Sequence, residues 1–246
     1  MPPGSELPVV LVHGGGHGAW CWEPMRPFLR SPFVAVDLPP ESIRGGPGRH
    51  DRPPGIDDLT LADWAAAVLD GASAAGFDRF MLVGHSLAGL TICEVARRAP
   101  ERVARLVFVS ALVPPEGKNA VDALPPEFLA RVGGGLTDAL VVELFCTGMD
   151  DAQTRFVLDR VGGDAVQVMV EPVTRVGLPA SVPKTYVRLR RDAALPAAAQ
   201  DGSIAALRSF PGGAVEIIEL DTGHNVMISH PAELAAVLDD LAARAA

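Results

Sequence analysis

Three residue types that together make a working nucleophile stand in this chain at Ser86, Asp192 and His224. Ser86 lies in Phe80-Met81-Leu82-Val83-Gly84-His85-Ser86-Leu87-Ala88-Gly89, where an apolar run ends in a glycine and small residues follow the serine. Residues Leu90 to Arg98 read as a helix, so the serine occupies a strand–turn–helix junction. Such a turn holds its serine in a strained backbone conformation and needs small neighbours, here Gly84, Ala88 and Gly89. A serine hydroxyl is a poor nucleophile at neutral pH. It needs a base within hydrogen-bond reach, and the base needs an orienting group. His224 follows an apolar run in Gly223-His224 and is the expected base. Asp192, after Lys184 to Arg190, is the expected carboxylate, holding the imidazole tautomer rather than taking its proton. Asp221 and Asp37 also end strands and are the alternatives, read as a turn cap and a structural residue.

Attack on a carbonyl also needs donors aimed at the developing oxyanion. The backbone N–H of Leu87, directly after the serine, is one candidate. Gly14-Gly15-Gly16 after the first apolar run is expected to supply the other, from Gly15. The run has neither the Gly-Lys-Ser/Thr ending of a nucleotide loop nor the downstream spacing of a dinucleotide fingerprint. No cofactor is therefore implied, and the three cysteines, Cys21, Cys93 and Cys146, show no metal spacing.

The elements that must position these groups alternate along the chain. Strands are expected at Pro8 to Val12, Phe33 to Asp37, Arg79 to Val83, Val103 to Val109, Lys184 to Arg190 and Ala214 to Leu220. Helices are expected at Trp22 to Arg30, Leu59 to Ala75 (capped by Thr60 or Asp58), Leu90 to Arg98, Ser203 to Arg208 and Pro231 to Ala246. Residues 39 to 57 read as an irregular Gly/Pro/Arg-rich loop. From 114 to 181 proline pairs and glycine runs punctuate short amphipathic stretches at Phe128 to Val132, Thr137 to Phe145, Ala152 to Val161 and Ala165 to Val170, with no convincing strand. The expected fold is α/β: a mostly parallel sheet of about six strands flanked by helices, with core segments 1–113 and 182–246 and a small helical cap at 114–181. In such a sheet ligands bind beyond the carboxyl ends of the strands, where Ser86, Asp192 and His224 all fall.

The 246 residues carry a formal net charge of −9, which argues against nucleic acid or an anionic membrane as partner. No apolar stretch is long enough to span a bilayer. The opening residues do not read as a signal peptide, so the expectation is a cytoplasmic protein, monomeric or homodimeric, with a small-molecule partner.

The run Val12-His13-Gly14-Gly15-Gly16-His17-Gly18-Ala19-Trp20-Cys21-Trp22 closely resembles the opening motif of the plant methylesterase and hydroxynitrile lyase branch of the α/β-hydrolase superfamily, with its bacterial esterase relatives. Gly84-His85-Ser86-Leu87-Ala88-Gly89, Tyr186 to Asp192 with Gln200, and Gly223-His224 fit the same branch. The resemblance implies Ser86, Asp192 and His224 as triad, Gly15 and Leu87 as oxyanion donors, and an acyl pocket under the cap. Lyases of the branch have a threonine at the position of Gly14 and a lysine directly after the histidine. Here Asn225 stands there, with no ammonium to stabilise a leaving cyanide, so hydrolysis of a small, largely apolar ester is favoured. A lyase, a cofactor-independent cyclase or oxygenase, or a ligand receptor on the same scaffold are the alternatives. Candidate pocket residues are His17, Asn225, Phe128, Leu144, Phe145 and Met149, the last four equally readable as buried cap core.

Overall fold

The computed structural model describes residues 7–39, 58–133, 135–162, 166–210 and 212–245. The N-terminal residues 1–6, the loop expected over 39–57 from residue 40 onward, and His50 lie outside the described residues.

Six strands form one sheet: β1 (Val9–Val12), β2 (Phe33–Val36), β3 (Phe80–His85), β4 (Val103–Val109), β5 (Lys184–Leu189) and β6 (Val215–Leu220). Their order is β2-β1-β3-β4-β5-β6 and every neighbouring pair is parallel. The apolar runs are nearly continuous because both faces are covered. Alternate side chains divide between two cores. Val10, Val12, Leu82, Leu106, Phe108 and Tyr186 face one, with α1 (Leu61–Ala74), α2 (Ala88–Arg98) and α8 (Ala197–Ser209). Val9, Leu11, Met81, Val83, Val107 and Val187 face the other, with the 3-10 helix Ala19–Met25, α9 (Val226–Ser229) and α10 (Pro231–Ala245). The stripe Leu234, Leu238 and Leu241 of α10 is wholly buried there.

Between β4 and β5 the described residues form five short helices and no strand: α3 (Ala120–Ala123), α4 (Pro126–Val132), α5 (Asp138–Phe145), α6 (Asp151–Leu158) and α7 (Val166–Val170). Two of them start with reciprocal capping boxes, Asn119 with Asp122 and Asp150 with Gln153. Thr60 with Asp63 does the same for α1, which decides between the two expected caps. α5 and α6 send Val141, Leu144, Phe145 and Val157 into the second core, so these helices lie over the same side as the loop carrying His224.

The structure corrects two helix expectations and adds a helix that none of them covered. The stretch expected as a helix over Trp22 to Arg30 is the 3-10 helix Ala19–Met25. Pro24 and Pro27 have no N–H to donate there, and Asp37 Oδ1 accepts from the Ala19 amide at 2.6 Å to start the turn earlier. α8 begins at Ala197, six residues before the expected Ser203, because the alanine run 197–199 continues the helix to Pro196. The four-residue α9 directly after His224 was not anticipated; four residues are too few for an apolar period to show.

Candidate active site

All the expected site residues on strand ends lie along one edge of the sheet. β1 crosses to β2 on one side and β3 leads to β4 on the other, so the loops after β1 and β3 diverge and leave a crevice at that switch point. The glycine turn stands on one side of it and Ser86 on the other.

Ser86 has φ of 54°, a left-handed conformation that a residue with a side chain seldom adopts. Holding it costs roughly 1–3 kcal/mol. The cost is offset by hydrogen bonds that lock the turn: Ser86 N–H donates to Val109 O at 3.1 Å, and Ser86 O accepts from Leu112 N–H at 2.8 Å and Gly89 N–H at 3.1 Å. A side chain at Gly89 would run into the Leu112 carbonyl, which is why the turn tolerates Ala88 but not a larger residue one position on. On the other wall, a Cβ at Gly14 would lie 2.7 Å from Ser86 Cβ and 3.0 Å from His85 O. The glycine turn therefore touches the serine directly, and only a glycine lets it do so. Among the described residues neither the Gly15 nor the Leu87 N–H donates to an acceptor. Gly15 and Ser86 are half-exposed while His13, Gly14, Gly16, His17, His85 and Leu87 around them are buried. Both amides thus stand without a protein acceptor beside the half-exposed serine.

His224 and Asp192 are brought together. His224 Nδ1 donates to Asp192 Oδ2 at 2.7 Å, with 2% and 0% of their side chains exposed. The carboxylate is held on every side: Ala194 and Leu195 N–H groups each donate to Oδ1 at 2.8 Å, and Ser110 Oγ donates to Oδ2 at 2.6 Å. The loop after β5 thus wraps its own aspartate, while the end of β4 supplies the fourth donor. With Nδ1 carrying the proton, His224 Nε2 is left as the basic atom. Among the described residues no hydrogen bond joins it to Ser86 Oγ; such bonds are often long before substrate arrives. The two alternatives for the carboxylate stand elsewhere. Asp221 is exposed and pairs with Arg190 and Arg191, and Asp37 caps the 3-10 helix.

Ser110 was missed in the sequence. It follows β4 directly and has φ of 37°, a second strained serine at a strand end, so the strand-end rule that finds Ser86 would have found it too. His85 is a second contributor: its Nε2–H donates to His224 O at 3.0 Å, joining the serine turn to the histidine loop.

Of the expected pocket residues, Phe145 reaches the site. Its ring stacks on His224 at 5.4 Å between centroids and meets His17 edge-on at 5.5 Å. Leu144 is fully buried in the second core, Met149 packs against that core half-buried, and Phe128 bridges both cores. His17 stacks on Trp20 at 5.2 Å, and Asn225 is 1% exposed at the start of α9.

Four histidines crowd this end of the sheet. Burial pushes His17 down to about 3, His85 well below the ordinary histidine range, and His13 below it as well. His13 is bound at both nitrogens: Nδ1 donates to Gly14 O at 2.9 Å and Nε2 accepts from Leu38 N–H at 3.0 Å. A histidine neutral in the fold takes its proton only on unfolding. Stability is then fully present above the unfolded-chain value near 6.5 and drains as pH falls below it, toward the depressed folded value. At pH 5, His17, lowered to about 3, is expected to remove about 2 kcal/mol, and His85 adds a loss in the same direction. The melting temperature is therefore expected to fall steeply once pH drops below about 6.5. A flat profile from pH 7.5 to 5 in differential scanning calorimetry would contradict buried neutral imidazoles.

Residues 9–237 match the alpha/beta hydrolase family. The chain belongs to that family. A probable esterase of Oryza sativa subsp. indica is 38% identical over 128 residues, 50% of this chain and 45% of the relative. A carbendazim-hydrolyzing esterase of a Nocardioides strain is 30% identical over 247 residues, 92% of this chain and 96% of the relative. The chain spans about half the length of the rice esterases it matches. An extracellular α/β-hydrolase from a Paenibacillus species superposes with a TM-score of 0.74 at 21% identity, covering 95% of this chain and 98% of that one, which shows the shared α/β-hydrolase fold. In the frame of this fold the site's carrying elements are the turn after β3 and the loops after β1, β5 and β6.

Proposed function

We propose that this member of the alpha/beta hydrolase family is a serine hydrolase of small, largely apolar carboxylic esters that needs no cofactor. The observation that carries the reading is the buried His224–Asp192 pair at 2.7 Å on the same sheet edge as a serine held at φ 54°. In this reading His224 Nε2 takes the Ser86 proton as Oγ attacks the ester carbonyl. The Gly15 and Leu87 N–H groups receive the negative charge that develops on the carbonyl oxygen. The C–O bond to the alcohol breaks, His224 returns the proton to the departing alkoxide, and the acyl group stays on Ser86. A water activated by His224 then releases the acid and restores the serine. Residues 114–181 act as a cap whose α5 brings Phe145 against the base, an apolar wall for the ester. The esterase names of the rice and Nocardioides relatives support the same reaction class.

A fluorophosphonate reports on this directly, because its phosphorus is captured only by a serine activated by its base. Intact-mass and peptide analysis are expected to find one adduct, on Ser86, formed at the rate of an activated serine. An unlabelled Ser86, or label spread over several hydroxyls, would sink the reading.

A further inference from the structure

Beside the base histidine lies a polar pair that the proposed triad does not use. Asn225 opens α9, where an asparagine side chain ordinarily caps the helix, yet it makes no cap hydrogen bond. Its backbone carbonyl does the work instead, accepting from the amides of Ile228 and Ser229, each at 3.0 Å. The side chain is buried, 1% exposed, and neither its Oδ1 nor its Nδ2 has a hydrogen-bond partner. It lies against His17, close enough to raise the proton affinity of that ring, without reaching hydrogen-bond geometry. His17 is 8% exposed, and its Nε2 is also unpartnered. Its tautomer follows from its neighbours: Nδ1 sits 2.7 Å from Gly15 O, which only accepts, so Nδ1 carries the proton and Nε2 is a bare lone pair. Stacking on Trp20 and the edge of Phe145 hold that lone pair in place. Phe145 also stacks on His224, so the polar pair and the base share one wall.

Three buried polar atoms left unpaired are a cost that a fold has no structural reason to carry beside its base. A lone-pair acceptor next to an amide that donates complements a group that gives one hydrogen and takes another, and the smallest such group that an ester can carry is a hydroxyl. We infer that His17 and Asn225 form a hydroxyl-recognising subsite, so that the preferred ester carries a hydroxyl near its scissile carbonyl, donating to His17 Nε2 and accepting from Asn225 Nδ2. This rests on the ester-hydrolase reading and narrows its substrate class: an otherwise apolar ester with one hydroxyl. Burial keeps His17 neutral at working pH, so the acceptor is available throughout. The hydroxyl can belong to the acid or to the alcohol half.

The test compares matched esters with the full chain at pH 7.5 by pH-stat titration. Methyl 2-hydroxy-2-phenylacetate is set against methyl phenylacetate, and 2-hydroxyethyl butanoate against propyl butanoate. The hydroxylated member of one pair is expected to win by at least about tenfold in kcat/KM, the value of one or two neutral hydrogen bonds, and the winning pair tells which half carries the group. Asn225→Leu and His17→Phe, the latter keeping the aromatic stacking, are each expected to bring that ratio within about threefold of unity. Asn225→Leu removes two unpaired buried atoms, so its melting temperature is expected to hold or rise, whereas loss of a structural asparagine would lower it. Should that variant unfold, His17→Phe decides alone. A ratio near unity in both pairs for the natural chain, or a preference that survives in a folded variant, overturns the inference. Fluorophosphonate labelling run alongside separates the two levels. Turnover and a Ser86 adduct without hydroxyl preference sink only the subsite; no turnover and no adduct sink the hydrolase reading with it.

Discussion

Ser86→Ala is expected to lower kcat on a small p-nitrophenyl ester by a factor on the order of 10⁵–10⁶ while leaving the melting temperature almost unchanged. The size follows from what the hydroxyl does in the proposed reaction. It forms the bond to the acyl carbon, and no other described residue shares its position between the Gly14 turn and Leu87. What remains in the variant is attack by water in a site that still has its two amide donors, a residue of catalysis worth about 10³–10⁴ over bulk water. The fold should not notice, because the turn is locked by backbone groups: Ser86 N–H to Val109 O, and the Leu112 and Gly89 amides to Ser86 O. Alanine keeps the Cβ that touches Gly14 and strains the backbone no more than serine does. Steady-state kinetics on purified protein, with calorimetry on the same sample, checks both halves. Turnover within tenfold of the natural chain would mean that another group attacks.

Asp192→Asn is expected to cost about 10⁴-fold in kcat, through the tautomer of His224 rather than through misfolding. The hydrogen bonds around residue 192 dictate how an asparagine would sit. The Ala194 and Leu195 N–H groups, which donate to Oδ1 at 2.8 Å, need an oxygen opposite them, so the amide oxygen must take the place of Oδ1. The amide nitrogen then takes the place of Oδ2 and points its hydrogens at His224 Nδ1 and Ser110 Oγ. His224 Nδ1 has to become the acceptor, which moves its proton to Nε2. An imidazole protonated at Nε2 cannot take the Ser86 proton. Ser110 adapts, since a hydroxyl accepts as well as it donates. The buried site also loses a charge, so stability should change little. Comparison with Ser86→Ala under the same assay is informative: a loss below about 100-fold would show that the carboxylate is a scaffold rather than the orienter of the base.

Much of this site was legible in the residues themselves. The apolar runs at 9–12, 80–85 and 103–109 carry no polar member on either face except at their ends and at Arg105, a pattern that demands a sheet covered on both sides. Residues with chemistry at the carboxyl ends of such runs must then share an edge, which puts Ser86 and His224 there together with an aspartate. Gly14 was readable as a glycine, and its contact with Ser86 Cβ supplies the reason it is one. Other features were out of reach. The 3-10 helix at Ala19–Met25 depends on an acceptor at Asp37, a residue in another strand's end. α9 is too short to carry a period. Arginine pairing draws Asp221 to the surface and away from His224, a choice among aspartates that the chain order alone left open.

The sequence by itself determined the sheet, the order of its chemistry-bearing ends and the types of residue standing there, because periodicity and turn chemistry act over a few neighbouring residues. Only the tertiary structure decided which aspartate meets His224, that Ser110 from β4 completes its hydrogen bonds, and that Asn225 lies unpaired against His17. Those facts rest on contacts between loops far apart along the chain, Ser110 and Asp192 being 82 positions apart and His85 and His224 139. A hydrogen bond over such a span depends on where the whole sheet delivers each loop, and no local pattern of side chains encodes that.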